Sequence, residues 1–125
     1  MNLKKYRVWS KKYNKMFFVE KINFDEKIVV ARAFDNEMPH KIIHSFNDVY
    51  FLESIGSNDK NNIEIYEGDI VKYCNKHYVV KYFNNYAQYS LSKGFDTLEL
   101  PMASYIITNY CEVIGNVFND PGLLA

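Results

Sequence analysis

Paired cysteines, clustered glycines and long apolar runs are all missing from this 125-residue chain. Its two cysteines, Cys74 and Cys111, form no CxxC spacing, which excludes a thioredoxin-type redox motif and a zinc site built on cysteine pairs. The five glycines stand singly, so no phosphate-cradling loop is present. No apolar run approaches the roughly 18 residues of a membrane-spanning helix. No apolar segment follows the Met-Asn-Leu-Lys-Lys start either, and the expected setting is a reducing cytoplasm with no membrane and with both cysteines as free, buried thiols. Alanine and leucine, which favour helices, are sparse, and this points away from helical folds.

Aromatic residues take their place. Eleven Tyr, nine Phe and one Trp make up 17% of the chain within a hydrophobic share of 48%, and flat rings pack well on a pleated face. The fold class expected is mainly β with little helix. A chain of this length fits one compact domain, or two very small subdomains that share a core, burying roughly two-thirds of its unfolded surface without needing a staple. Net charge is zero but uneven: residues 1–32 hold nine Lys/Arg against three Asp/Glu, and the remainder six against twelve. Such a layout suits a polyanion patch or contact between subunits.

"YRVWS", "MFFVEKINF" and "IVVARAF", separated by the polar turns "KKYNK" and "DEK", read as a three-stranded meander. Its alternation is imperfect, with Phe17 and Val19 on one face and Phe18, Ile22 and Phe24 leaning to the other. Both faces are then partly covered, by another sheet or another subunit. "DNEMPHKIIHSFN" reads as a connection with a short strand at Lys41–Ser45. "VYFLESIG" is a strand ending at Gly56, and "SNDKNN" is a loop whose Asn61-Asn62 pair tolerates left-handed backbone. In "IYEGDIVKY", Gly68 permits a sharp bend and Asp69 can accept from nearby amides, which makes this stretch a strand-entry corner. "IVKYC", "YVVKYF" and "YAQYSLS" follow, with turns at "NKH" and "NN" and a break at Gly94, at the spacing of a small meandering barrel. One helical turn is expected after Pro101. "CEVIGNVF" closes the fold, Gly115 marking a bulge or a close backbone approach, and "NDPG" turns the chain into its tail. The division expected is residues 1–55 as meander and connection, and residues 56–125 as barrel, final strand and tail.

Chemistry is thinly represented. His40 and His44 have a helical ligand spacing without a helical context, and His77 falls in a turn. Glu64, Glu67 and Asp69 cluster at the corner, where a hydrolase could use them with a metal, although turn formation explains them more simply. No strand-turn-helix elbow surrounds a serine, and Cys74 has only lysines and His77 nearby as activators. No catalytic residue, metal ligand or cofactor is assigned, and the chain is read as non-enzymatic. Lys4, Lys5, Arg7, Lys11, Lys12 and Lys15, interleaved with Tyr6, Trp9 and Tyr13, form the ingredients of a single-strand nucleic-acid groove. A pI near 6.8 lacks the footprint of a dedicated binder. Protein association is preferred: Trp9, Tyr13, Tyr82, Tyr86 and Tyr89 are the candidate partner-binding rings.

Three blocks carry a resemblance. "KYRVWSKKYNKM" (residues 5–16), "GSNDKNNIEIYEGDIVK" (residues 56–72) and "EVIGNVFNDPGLL" (residues 112–124) resemble the YopX family of phage and prophage proteins from Gram-positive bacteria. They differ from its pattern at Asn61-Asn62, where the family favours Asn-Gly, and at Ser57, where it favours an aliphatic residue. The resemblance implies an SH3-like barrel around the Gly-Asp block, packed with an N-terminal β portion in a homo-oligomer. It implies a phage accessory protein in the host cytoplasm with a host or phage protein as partner, and no specific chemistry.

Overall fold

The structure, a computed structural model, describes residues 5–33, 41–84, 88–93, 100–101 and 108–124. These residues are mostly β, and the chain divides into two units, residues 1–53 and 54–125. The boundary falls inside a strand.

The first unit holds β1 (Tyr6–Ser10), β2 (Lys15–Asn23), β3 (Ile28–Ala33), β4 (Lys41–Ser45) and the front half of β5 (Val49–Asn58). They pair antiparallel in the order β4-β3-β2-β1-β5. Side-chain chemistry places the turns. Asn14 and Lys27 take left-handed backbone at φ 51° and 56°, and Asn23 Oδ1 accepts from Glu26 N at 3.0 Å, closing the β2–β3 turn as an Asx motif. A short 3-10 turn, Phe46–Asp48, is capped by Ser45, whose Oγ accepts from Asn47 N. One face of the sheet gathers Val8, Phe17, Val29, Ala31, Ala33 and Val49 into a core. Full burial of Phe17 alone contributes about 1.5–3 kcal/mol.

Strict alternation puts Ile22 opposite Phe17, but a bulge at Glu20 reverses this. The β2–β3 register shifts between Val19 and Lys21, so Ile22 pairs with Val29 on the core face.

The second unit contains the end of β5, with β6 (Glu64–Tyr66) paired to it, and a five-stranded antiparallel sheet. That sheet runs β10-β9-β8-β7-β11, comprising β7 (Asp69–Tyr73), β8 (Lys76–Phe83), β9 (Gln88–Ser92), β10 (Leu100–Pro101) and β11 (Glu112–Asn116). Its core is Ile65, Val71, Tyr78, Val80, Leu91 and Cys111. Residues 108–110 are helical, and Pro121–Leu124 form a 3-10 turn. Most of the stretch expected to turn after Pro101, like Gly94, lies outside the described residues.

Three expectations are corrected here. The sheet is open: no ladder joins β10 to β11 among the described residues. β10 has two residues, and Pro101 lacks the N–H a second ladder would use. The strand expected to stop at Gly56 continues to Asn58, with Gly56 at φ 82° inside an irregular stretch of β5. The β7–β8 turn is Cys74-Asn75, not "NKH", with φ 51° and 62°, as a two-residue hairpin whose twist matches the flanking strands requires.

Candidate functional site

The second face of the first sheet is where apolar side chains meet solvent. Register assigns it: Phe18 lies opposite Arg7 and Arg32, Arg32 opposite Lys41, and Val30 opposite Ile43, so all share one face. Burial falls off toward the β4 edge. Arg7, Trp9, Met16 and Leu52 are buried, whereas Phe18 is 46% and Ile43 65% exposed, with Val30 half-buried between them. Glu20 accepts from Arg32 at 3.1 Å and from Lys41 at 2.9 Å beside this apolar group. The Lys41 hydrogen bond holds the Glu20 carboxyl below its usual range, with Lys41 and Arg32 charge adding to the effect. An apolar centre edged by compensated charge is the anatomy of a protein-binding surface. Adjacent apolar residues in "IVV" and "KIIHS" carried the signal, since neighbours along a strand point to opposite faces.

The basic candidates are placed differently from one another. Lys5, Lys11 and Lys12 are exposed, Lys15 is half-buried, Arg7 is buried, and Lys4 lies outside the described residues. Lys11 Nζ donates to the Asn47 carbonyl at 3.2 Å and sits 4.3 Å from the Tyr50 ring; Lys12 lies 5.5 Å from the Tyr13 ring. Trp9 is only 9% exposed, and Tyr13 packs against Phe17 and His44. Of the rings interleaved with these cations in sequence, Trp9 is buried and Tyr13 half-buried, while the ring under Lys11 is the exposed Tyr50.

Tyr82 and Tyr89 are cross-strand partners on β8 and β9, with ring centroids 5.1 Å apart; Tyr82 is exposed and Tyr89 leans on the second core. Tyr86 lies outside the described residues.

Aspartates of the second unit are tied into its backbone. Asp69 Oδ2 accepts from Tyr66 N at 2.8 Å, while Gly68, at φ 88°, donates to the Val80 carbonyl and accepts from Val117 N, both at 2.9 Å. Glu64 and Glu67 are half-buried. Asp59 is buried too: Oδ1 accepts from Asn61 N and Ile63 N, and Oδ2 accepts from Val113 N at 2.8 Å, fastening the loop to β11. Asn62 supplies the left-handed step of that loop at φ 64°. Sequence reading passed over Asp59, although a lone Asp in a polar loop beside an Asn pair is a turn signal. No group of three or more His, Cys, Asp or Glu is placed to hold a metal ion among the described residues.

His44 is buried, with Nε2 3.1 Å from Ser10 Oγ and its ring 4.8 Å from that of Phe17. Ser10 Oγ also accepts from Tyr13 N. Both side chains of this serine–histidine pair are buried. His40 lies outside the described residues, and His77 Nδ1 is 2.7 Å from the Leu123 carbonyl. Of the thiols, Cys111 is buried but Cys74 is exposed, because it occupies a hairpin apex. No helix among the described residues is long and apolar enough to cross a membrane.

No curated protein matches the chain. Among solved structures, protein EF1440 from Enterococcus faecalis is similar, with a TM-score of 0.74 at 21% identity, covering 100% of each chain. That likeness concerns the fold. A family model described as YopX protein matches residues 5–125, and the chain belongs to the YopX family.

Proposed function

We propose that the protein is a non-enzymatic, self-associating protein-interaction module, whose first sheet presents Phe18, Val30 and Ile43 to a second copy of the chain. The observation that carries this reading is the exposure of two large apolar side chains on one sheet face beside the Arg32–Glu20–Lys41 ion group. Phage or prophage accessory work in the host cytoplasm, with a host or phage protein as further partner, follows from the family resemblance, as does an SH3-like reading of the second unit. Burial of Arg7 and Trp9 favours this over single-strand nucleic-acid binding.

Light scattering across a concentration series tests it. The wild-type protein is expected to grow in mass with concentration, while Phe18→Asp/Ile43→Asp stays at the monomer mass with unchanged thermal unfolding. A monomer at all concentrations that shifts a single-stranded oligonucleotide at low salt, with affinity collapsing as salt rises, contradicts it.

A further inference from the structure

The ladder brings both thiols of the chain to one end of the second sheet. Lys72 on β7 faces Glu112 on β11 as the last pair of the ladder; one further step would set Tyr73 across from Cys111, and Cys74 follows at the first turn position, where left-handed backbone at φ 51° takes it out of the strand's alternation. Strands about 4.8 Å apart with a rise of about 3.4 Å per residue put positions one step out of register about 6 Å apart at Cα. Disulfides span about 4.4–6.8 Å between Cα atoms. Cys74 is exposed at the hairpin apex, and Cys111 is sealed in the core beside Val71 and Tyr73. Burial first, then the Asp59 carboxylate and the neighbouring Cys74, push the Cys111 thiol up to about 11.

We propose that Cys74 and Cys111 form a thiol–disulfide pair in which the exposed turn cysteine exchanges first and the buried one resolves it, linking the β7–β8 hairpin to the start of β11. The oxidant is a low-molecular-weight disulfide. The Cys74 thiolate attacks one of its sulfurs, the small S–S bond breaks, and the departing thiolate takes up the proton Cys74 released. The Cys111 thiolate then attacks the Cys74 sulfur of the mixed disulfide. The second small thiolate leaves and takes up the Cys111 proton, so two protein thiols are oxidised and one small disulfide is reduced to two thiols. Access and acidity set the order: Cys111 cannot be reached from solvent, and its thiolate is scarce at neutral pH.

The test incubates the reduced, folded chain with oxidised glutathione and follows intact mass and linked peptides. The expected product has lost two hydrogens, yields a Cys74–Cys111 peptide and unfolds at higher temperature until dithiothreitol reverses the change. Cys111→Ala is expected to stop at a glutathione adduct on Cys74, and Cys74→Ser to remain unmodified. A stable adduct on the wild-type protein, a Cys74–Cys74 dimer, or internal linkage only in denaturant overturns the pairing. Cys74→Ser alters an exposed turn residue, so it keeps the test decisive even if Cys111→Ala fails to fold.

Discussion

A single buried ring shows how one residue links the sequence to solution behaviour. Burial holds the His44 imidazole below its ordinary value of 6.5, assisted by Lys12 and opposed by the Ile42 backbone and the Asp48 carboxylate. Because the folded ring resists protonation, the unfolded chain takes the proton first as pH falls through about 6.5. The stability tied to a neutral His44 is therefore complete above that pH and is lost progressively below it. Thermal unfolding followed from about pH 8 to about pH 5 is expected to show a falling midpoint, and His44→Leu should remove part of the slope. An identical slope in the variant would mean that other groups carry the dependence. His40 and His44 have a ligand-like spacing that their non-helical context argues against, and the strand expected at Lys41–Ser45 is present, but its buried face was not legible. In the fold His44 sits on a strand against Phe17, because local spacing does not reveal which face of a strand is buried.

At the scale of elements, much of the chain was legible. Apolar runs placed the meander, the short strand at Lys41–Ser45 and the corner at Gly68, because alternation and turn chemistry are local properties. Bulges were not legible: nothing in "VEKIN" announces that Glu20 is the extra residue, and this moved Ile22 to the opposite face. Closure of the second sheet was misjudged for a related reason, since pairing between distant edges is decided by length and donors that local spacing leaves open. For the candidate surface, imperfect alternation signalled a second apolar face, but only register showed that Phe18, Val30 and Ile43 meet there. On β11 the consequence of local geometry is measurable. The register shifts between Val113 and Gly115, and a Cβ at Gly115 would stand 2.5 Å from Asp120 Oδ2, which accepts from Asn116 N at 3.2 Å. Gly115→Ala should therefore lower unfolding stability by about 1–3 kcal/mol in denaturant titration. A change within about 0.5 kcal/mol would show that Asp120 moves aside at little cost.

At the scale of the whole molecule, family, fold and an exposed apolar surface come together. The chain is a YopX family member with two antiparallel sheets, and each unit has its own buried core. On its first sheet Phe18 and Ile43 are exposed, and β4 is the edge strand of that sheet among the described residues, a position from which backbone groups can pair with another chain. Hydrogen exchange measured at low and high protein concentration tests this most directly, because it reports both whether copies meet and where. Slowing at high concentration confined to peptides covering Phe18, Val30 and Lys41–Ser45 is the predicted result. Exchange that is independent of concentration, or slowing centred instead on Tyr82 and Tyr89, would contradict it.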